Sequence, residues 1–324
     1  MGRTGDQIIS ASRRTDIPGG YTDWFMDRIQ KGGFRIKNPY NQKERFVSVT
    51  PDNTHSIVFW SKNYGPFLDR EADRILTDLG YPLFFNFTIN SQSTVLEPGI
   101  PPLGERLSQL ARLSGRFGPD RIAWRFDPIC FFKKDDGRME NNLKDFPIIA
   151  DAAADLGIPK CVTSFYDAYA KVKRRVNQMI SRGKPKITFH DPGQEEKIKI
   201  LERMAAFLGS RKIRLSLCCE SGLFREISEK QENVPDQKES PGPFMEENAC
   251  IDGPLLKRIY KGNPLLARDY GQRSKLGCRC TKSIDIGSYE DHPCFHDCLF
   301  CYANTGMDTR TKKTGSNENK KFEN

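Results

Sequence analysis

Six short apolar runs, each followed by an amphipathic stretch, constrain the fold of this 324-residue chain more than any other feature. The runs cover residues 7–13, 56–63, 82–90, 121–129, 160–167 and 213–220, and each has the length and composition of a strand. The stretches at 21–31, 66–79, 103–117, 143–156, 169–181 and 193–208 read as helices, and Gly or Pro punctuates most of the joints. Such alternation implies a parallel sheet with helices outside. Six units fit a partial (β/α)6 TIM-like barrel, and a full eight-stranded barrel needs further strands from the tail. A flat doubly wound sheet is the competitor, but no glycine-rich dinucleotide fingerprint follows the first run. A further run at 45–51 suits a hairpin partner of the second strand. The expected organisation is a barrel-like domain at 1–220, a polar loop or insertion at 221–249, a cysteine-rich metal-binding cap at 250–308 packed on the barrel, and a polar tail at 309–324.

Parallel strands buried on both faces are usually continuous apolar runs, and several of these are not. Asn86, Thr88 and Asn90 alternate with apolar residues, so period two puts them on one face. Arg125 and Asp127 share a face opposite Trp124 and Phe126. The first strand ends in Arg14 and Asp16, the second in Lys62 and Asn63, the fifth in Asp167 and the sixth in Glu220. Burying such groups is costly unless they pair or bind a polar ligand. Pairs such as Arg125 with Asp127, or Arg14 with Asp16, would form an internal salt-bridge layer. The set as a whole favours a polar ligand site at the carboxyl ends of the strands, where such folds build their sites. Arg14, Asp16, Lys62, Arg125 and Asp127 are therefore the candidate catalytic residues.

Ten cysteines point to metal or redox chemistry before disulfides in a reducing compartment. Cys294, Cys298 and Cys301 stand in a C-x3-C-x2-C loop with Phe300 before the last of them. A four-iron cluster normally takes four cysteines, so three leave one iron open. Cys219, Cys250, Cys278 and Cys280 form a second group, suited to a further four-iron cluster or to a structural zinc. Cys218 or Cys219 would otherwise be a small buried apolar residue. Cys130 and Cys161 lie within apolar runs and read as core. His292 and His296 flank Cys294, where they could join a zinc site or, for His296, donate to a cluster sulfur.

The three-cysteine loop, with Phe300 inside it and Tyr302 after it, resembles the signature of the radical S-adenosylmethionine (SAM) superfamily, and within it the spore photoproduct lyase type. That resemblance implies a [4Fe-4S] cluster on Cys294, Cys298 and Cys301, SAM chelated to the open iron, and an electron donor such as ferredoxin or flavodoxin. It implies reductive cleavage of SAM and hydrogen abstraction from a substrate. It also implies a partial (β/α)6 barrel. Residues 10–18 (Ser-Ala-Ser-Arg-Arg-Thr-Asp-Ile-Pro) and 272–289, running into the loop and Tyr302-Ala303-Asn304, resemble an uncharacterised family, domain of unknown function 1848. The family name conveys no reaction. Two departures from the radical SAM pattern stand out. The loop follows the βα units instead of the first strand, and no Gly-Gly-Glu stretch follows the second strand. Asn63, Asn90 or Asp127 would then take that stretch's place beside Phe300, Tyr302 and Asn304 at the cofactor.

The net charge is +9, and the segment from Lys171 to Arg214 alone holds 13 Lys and Arg against 4 Asp and Glu. That stretch is either a solvated helix face or a contact for nucleic-acid phosphates. The substrate classes left open are nucleic acid, peptide and small metabolite. The alternative is a zinc-stabilised nucleic-acid-binding protein without radical chemistry. A third reading is a barrel hydrolase or lyase in which Arg14, Lys62 and Arg125 hold an anion. No apolar run has membrane-span length and residues 1–6 lack a signal-peptide core, so a cytoplasmic protein is expected, with no membrane partner.

Overall fold

The computed structural model describes residues 6–38, 41–181, 187–232, 245–271 and 274–303. Its centre is a mixed α/β arrangement around eight parallel strands. These are β1 (Gln7–Ala11), β2 (Thr54–Ser61), β3 (Leu83–Thr88), β4 (Ile122–Ile129), β5 (Lys160–Phe165), β6 (Arg214–Leu217), β7 (Met245–Glu247) and β8 (Ile284–Asp285). They lie side by side in the order β7-β6-β5-β4-β3-β2-β1-β8, and every pairing is parallel. Strands β1 to β7 follow chain order across the sheet, and β8 joins at the far edge beside β1. The sheet is open at β7 and β8, and no closed barrel forms among the described residues.

Period-two alternation gives each strand two faces. One carries Ile9, Ile57, Phe59, Phe85, Phe87, Trp124, Phe126 and Leu215. Onto it pack Phe25 of helix Thr22–Gln30, Leu110 and Leu113 of helix Leu103–Phe117, Ile149 of helix Phe146–Asp155, and Leu201 and Leu208 of helix Gln194–Gly209. The other face begins apolar, with Ile8, Val58, Phe84, Ala123 and Val162. The C-terminal segment covers it through Ile251 and Leu256, the latter from helix Gly253–Tyr260. Asp252 caps that helix by accepting from Leu255 N at 2.9 Å, and Pro254 stands in its first turn.

Several elements depart from the sequence expectations. The stretch 66–79 is two helices, Gly65–Asp69 and Ala72–Asp78, separated where Glu71 takes a left-handed backbone at φ 51°. The run at 45–51 supplies Glu44–Ser48, which pairs antiparallel with Gly33–Lys37 and not with β2. Its neighbour is the segment closest in sequence, and Gly33 admits the approach, since a Cβ there would stand 2.2 Å from Val47 O. After β4 the chain forms a small antiparallel sheet of Phe131–Lys133, Met139–Asn141 and Thr188–His190. Within the expected polar loop, Ser221–Glu232 is a helix that buries Leu223 and Ile227, and Met245–Glu247 extends the sheet. Among the described residues, no helix is long and apolar enough to cross a membrane.

Strand β8 brings together the two distant segments that carried the family resemblance. Ile284 and Asp285 pair with Ile9 and Ser10 of β1. Asp285 then accepts from Ser10 Oγ at 2.9 Å, Ser12 Oγ at 2.6 Å and Arg13 N at 2.8 Å. Gly287 lies so close to Ser12 that a Cβ would stand 2.1 Å from its Oγ.

Candidate active site and cysteine groups

Toward the carboxyl ends of the strands the covered face of the sheet turns polar: Ser61 ends β2 and Lys62 follows it, Arg125 and Asp127 lie in β4, and Ser164 lies in β5. These residues and both cysteine groups line one cavity of about 260 Å³. Cys294, Cys298 and Cys301 line it, as do Cys218, Cys219, Cys250, Cys278 and Cys280. The ten cysteines are all unpaired by disulfides, and Cys130 and Cys161 are buried in the core. Among the described residues, no group of three or more His, Cys, Asp or Glu is drawn together as a site for a single metal ion.

The three-cysteine loop is held on several sides. Asp16 accepts from Gly19 N (2.7 Å), Ser61 Oγ (2.7 Å) and Lys62 N (2.9 Å), and its Oδ2 lies 2.6 Å from His296 Nε2. Burial disfavours a charge on His296, but the Asp16 carboxylate outweighs it and raises the imidazole pKa. The segment after β3 runs beside the loop: Leu299 N donates to Leu96 O at 2.8 Å and Gly99 N to His296 O at 3.1 Å. Arg175 is buried and donates to the carbonyls of Cys298 (3.2 Å), Leu299 (2.6 Å) and Cys301 (3.0 Å). Asp297, at φ 51°, turns the chain between Cys294 and Cys298; Asp is among the residues that tolerate this conformation.

The charged residues pair around the cavity. Lys62 pairs with Glu97 and stands over the Phe300 ring at 5.3 Å. Burial works against the Lys62 charge, but Glu97 and then Cys298 raise its pKa. Burial pushes the Cys298 thiol up, and burial with Asp16 pushes Cys294 up to about 12. Arg125 pairs with Asp127 and donates to Cys250 Sγ at 3.0 Å. Asp127 also accepts from Ser164 Oγ. In the second cysteine group, hydrogen bonds from Cys218 and Cys280 lower the Cys250 pKa, and those from Cys219 and Cys280 bring Cys278 to about 3.

Of the residues singled out from the sequence, Asp16, Lys62, Arg125, Asp127, Phe300, Tyr302 and all seven cysteines line the cavity. Arg14 does not: its Nη1 donates to Gly287 O at 3.1 Å, and Arg13 lines the cavity instead. Asn63 also lies outside the lining, because its Oδ1 accepts from Gly65 N (3.0 Å) and Gln109 Nε2 (2.9 Å) at the start of a helix. Asn90 is buried behind the cavity, bridging Glu97 and the backbone of Asp127. Asn304 lies outside the described residues. Part of the basic stretch is engaged within the chain. Besides Arg175, Lys197 pairs with Asp191, Lys199 with Glu195, Arg211 with Asp151, and Arg214 with Glu246. Sequence reasoning missed Arg13, Glu97 and Arg175. Arg13 is adjacent to a chosen residue, while Glu97 sits in a loop with no periodicity to mark it.

Fold and site together define a parallel α/β protein in which two cysteine groups open onto one polar cavity at the strand ends. The chain belongs to the family described as Domain of unknown function (DUF1848), which matches residues 8–303. No curated protein matches it. Among solved structures, a D-hydantoinase aligns at 12% identity with a TM-score of 0.31, covering 67% of this chain and 45% of that one. A D-hydantoinase from a Bacillus sp. AR9 aligns at 12% identity and 0.32, covering 67% and 46%. This chain spans less than half the length of either.

Proposed function

We propose that this protein is a radical SAM enzyme, with a four-iron cluster on Cys294, Cys298 and Cys301 and its substrate at the polar strand ends. The observation that carries this reading is that all three thiols of the loop line the same cavity as Lys62, Arg125 and Asp127, although loop and strands are far apart in sequence. The donor set suits the group. Each thiolate of a four-iron cluster binds its own iron, so three such sulfurs need not converge on one point. The Lys62 ammonium beside Cys298 and Cys301 offsets thiolate charge. A parallel sheet with its cavity at the carboxyl ends of the strands supports this reading.

Bound there, the cluster would supply the electron that cleaves SAM and so the radical that takes a hydrogen atom from substrate. The chain's own residues bind, orient and exclude water. Arg175 and Asp16 hold the loop, the Arg125–Asp127 pair with Ser164 offers a charged and hydrogen-bonding wall to a polar substrate, and Phe300 with Trp60 supplies apolar surface. The substrate is a nucleic acid, peptide or small metabolite, and a reduced ferredoxin or flavodoxin is the donor class. The test is purification without oxygen, iron and sulfide analysis, then addition of SAM and reductant. Production of 5′-deoxyadenosine by the wild type, abolished in Cys298→Ala, is the expected result. Zinc alone with no SAM cleavage would sink the reading and favour a zinc-stabilised nucleic-acid-binding protein.

A further inference from the structure

Strands β6 and β7 are neighbours and end together: Leu217 pairs with Glu247, and Asn248 N donates to Leu217 O at 2.8 Å. Soon after leaving the sheet, each segment carries a cysteine. Cys218 Sγ and Cys250 Sγ lie 3.6 Å apart, and both residues line the cavity.

The two sulfurs are not equivalent. Cys250 Sγ accepts from Arg125 Nη1 at 3.0 Å and from Asn248 Nδ2 at 3.2 Å. A thiolate is the reactive form of a cysteine, and a neighbouring cation with N–H donors favours it. Arg125 and Asn248 supply both to Cys250. Cys218 is buried, and its sulfur meets the sulfurs of Cys250 and, at 3.9 Å, of Cys219. Cys219 is the poorer match for a covalent bond to Cys218. Consecutive Cα atoms stand about 3.8 Å apart, below the span of about 4.4–6.8 Å that disulfides bridge. Cys250 is therefore the nucleophile, and Cys218 is the second thiol within its reach. An accessible nucleophilic cysteine poised beside a resolving thiol is the arrangement that peroxide-sensitive cysteines use.

We infer that Cys218 and Cys250 form a redox-active pair that a peroxide converts to a disulfide within the cavity. The Cys250 sulfur attacks one peroxide oxygen, the O–O bond breaks, and a sulfenic acid forms on Cys250 as hydroxide leaves. The Cys218 sulfur then attacks the Cys250 sulfur, the S–O bond breaks, and the released oxygen and the thiol protons depart as water. Two thiols lose two electrons, and one peroxide gains them as two waters. Bringing the sulfurs to a bond length of about 2.05 Å takes a shift of about 1.5 Å, within the range of side-chain rotation. Peroxide is little larger than water, and a cavity of about 260 Å³ admits it. A dithiol returns the pair to its reduced form by exchange through a mixed disulfide. Oxidation also reaches the charged wall of the cavity. Arg125 loses a thiolate acceptor and keeps Asp127.

The inference needs neither a cluster nor SAM, so it does not rest on the radical reading. The full chain is purified without oxygen and treated with about one equivalent of hydrogen peroxide. It is then blocked with N-ethylmaleimide and digested for mass spectrometry. A Cys218–Cys250 cross-link is expected, with loss of about two thiols per chain, and dithiothreitol should reverse it. Cys219→Ser should keep the cross-link. Cys218→Ser should stop the reaction at a Cys250 sulfenic acid that dimedone labels, a signal that a merely structural thiol does not give. Arg125→Met should slow the oxidation by about tenfold as the thiolate loses its cation. Wild-type protein in which both thiols stay reduced while other cysteines react overturns the inference. A cross-link from Cys250 to any other cysteine does so too, as does bound zinc or iron that shields both thiols until a chelator strips it. The wild-type cross-link decides wherever a variant fails to fold.

Discussion

Asp16 is one of the candidate catalytic residues, yet both of its oxygens are committed to Gly19 N, Ser61 Oγ, Lys62 N and His296. Its arrangement is that of an anchor between strand end and cysteine loop. Lys62 and Glu97 carry a sharper consequence. Glu97 is 3% exposed and its Oε1 meets both Lys62 and Asn90. Lys62→Met would leave a buried carboxylate without its cation, which costs about 3–5 kcal/mol, whereas replacing both partners of such a pair by apolar residues is often close to neutral. Urea unfolding of Lys62→Met and of Lys62→Met/Glu97→Leu should therefore show a large loss in the single variant and recovery of most of it in the double. At this scale the sequence made Lys62, Arg125 and Asp127 legible, because charge within an apolar strand pattern is conspicuous. It did not separate Arg13 from Arg14, because the chain bends directly after β1 and alternation no longer says which side chain turns inward.

The segment after β3 and the cysteine loop act as one element pair, joined through Gly99 and Leu96. A Cβ at Gly99 would stand 2.8 Å from both Phe295 O and His296 O. Backbone atoms cannot yield as a side chain end can, so Gly99→Ala must push the loop away, at a cost of about 1–3 kcal/mol. Gly115 lies within helix Leu103–Phe117 with nothing near its Cβ position, and Gly115→Ala should stabilise by about 0.5–1 kcal/mol. Thermal melts of the two variants should move in opposite directions, and equal shifts would refute the packing of the loop on Gly99. The long strands and helices were readable because each spans enough residues to express a period. Strands β7 and β8 were not, at three and two residues. The helix Ser221–Glu232 was hidden by its polar composition, although Leu223, Phe224 and Ile227 recur at helical spacing.

For the whole molecule, the sequence reading of a barrel followed by a cap meets a sheet whose edge strand comes from the cap. The inner-face residues Ile8, Val58, Phe84, Ala123 and Val162 pack on Ile251 and Leu256, and Asp285 ties β8 to the end of β1. His55 Nε2 lies 2.7 Å from Lys261 O, and Tyr260 Oη reaches Leu83 O. Without residues 250–303, five apolar side chains would face water and β1 would become an open edge, a combination that favours aggregation. The C-terminal segment is thus part of the core that makes the sheet stable, and it carries most of the cysteines that reach the cavity. A chain ending at residue 249 is expected to bind the hydrophobic dye ANS and to lose cooperative unfolding, while the full chain unfolds in one urea transition. A truncated chain that stayed monomeric, bound no dye and unfolded cooperatively would mean that the sheet is self-sufficient. The cysteine-rich segment would then be a separable module laid over a finished fold.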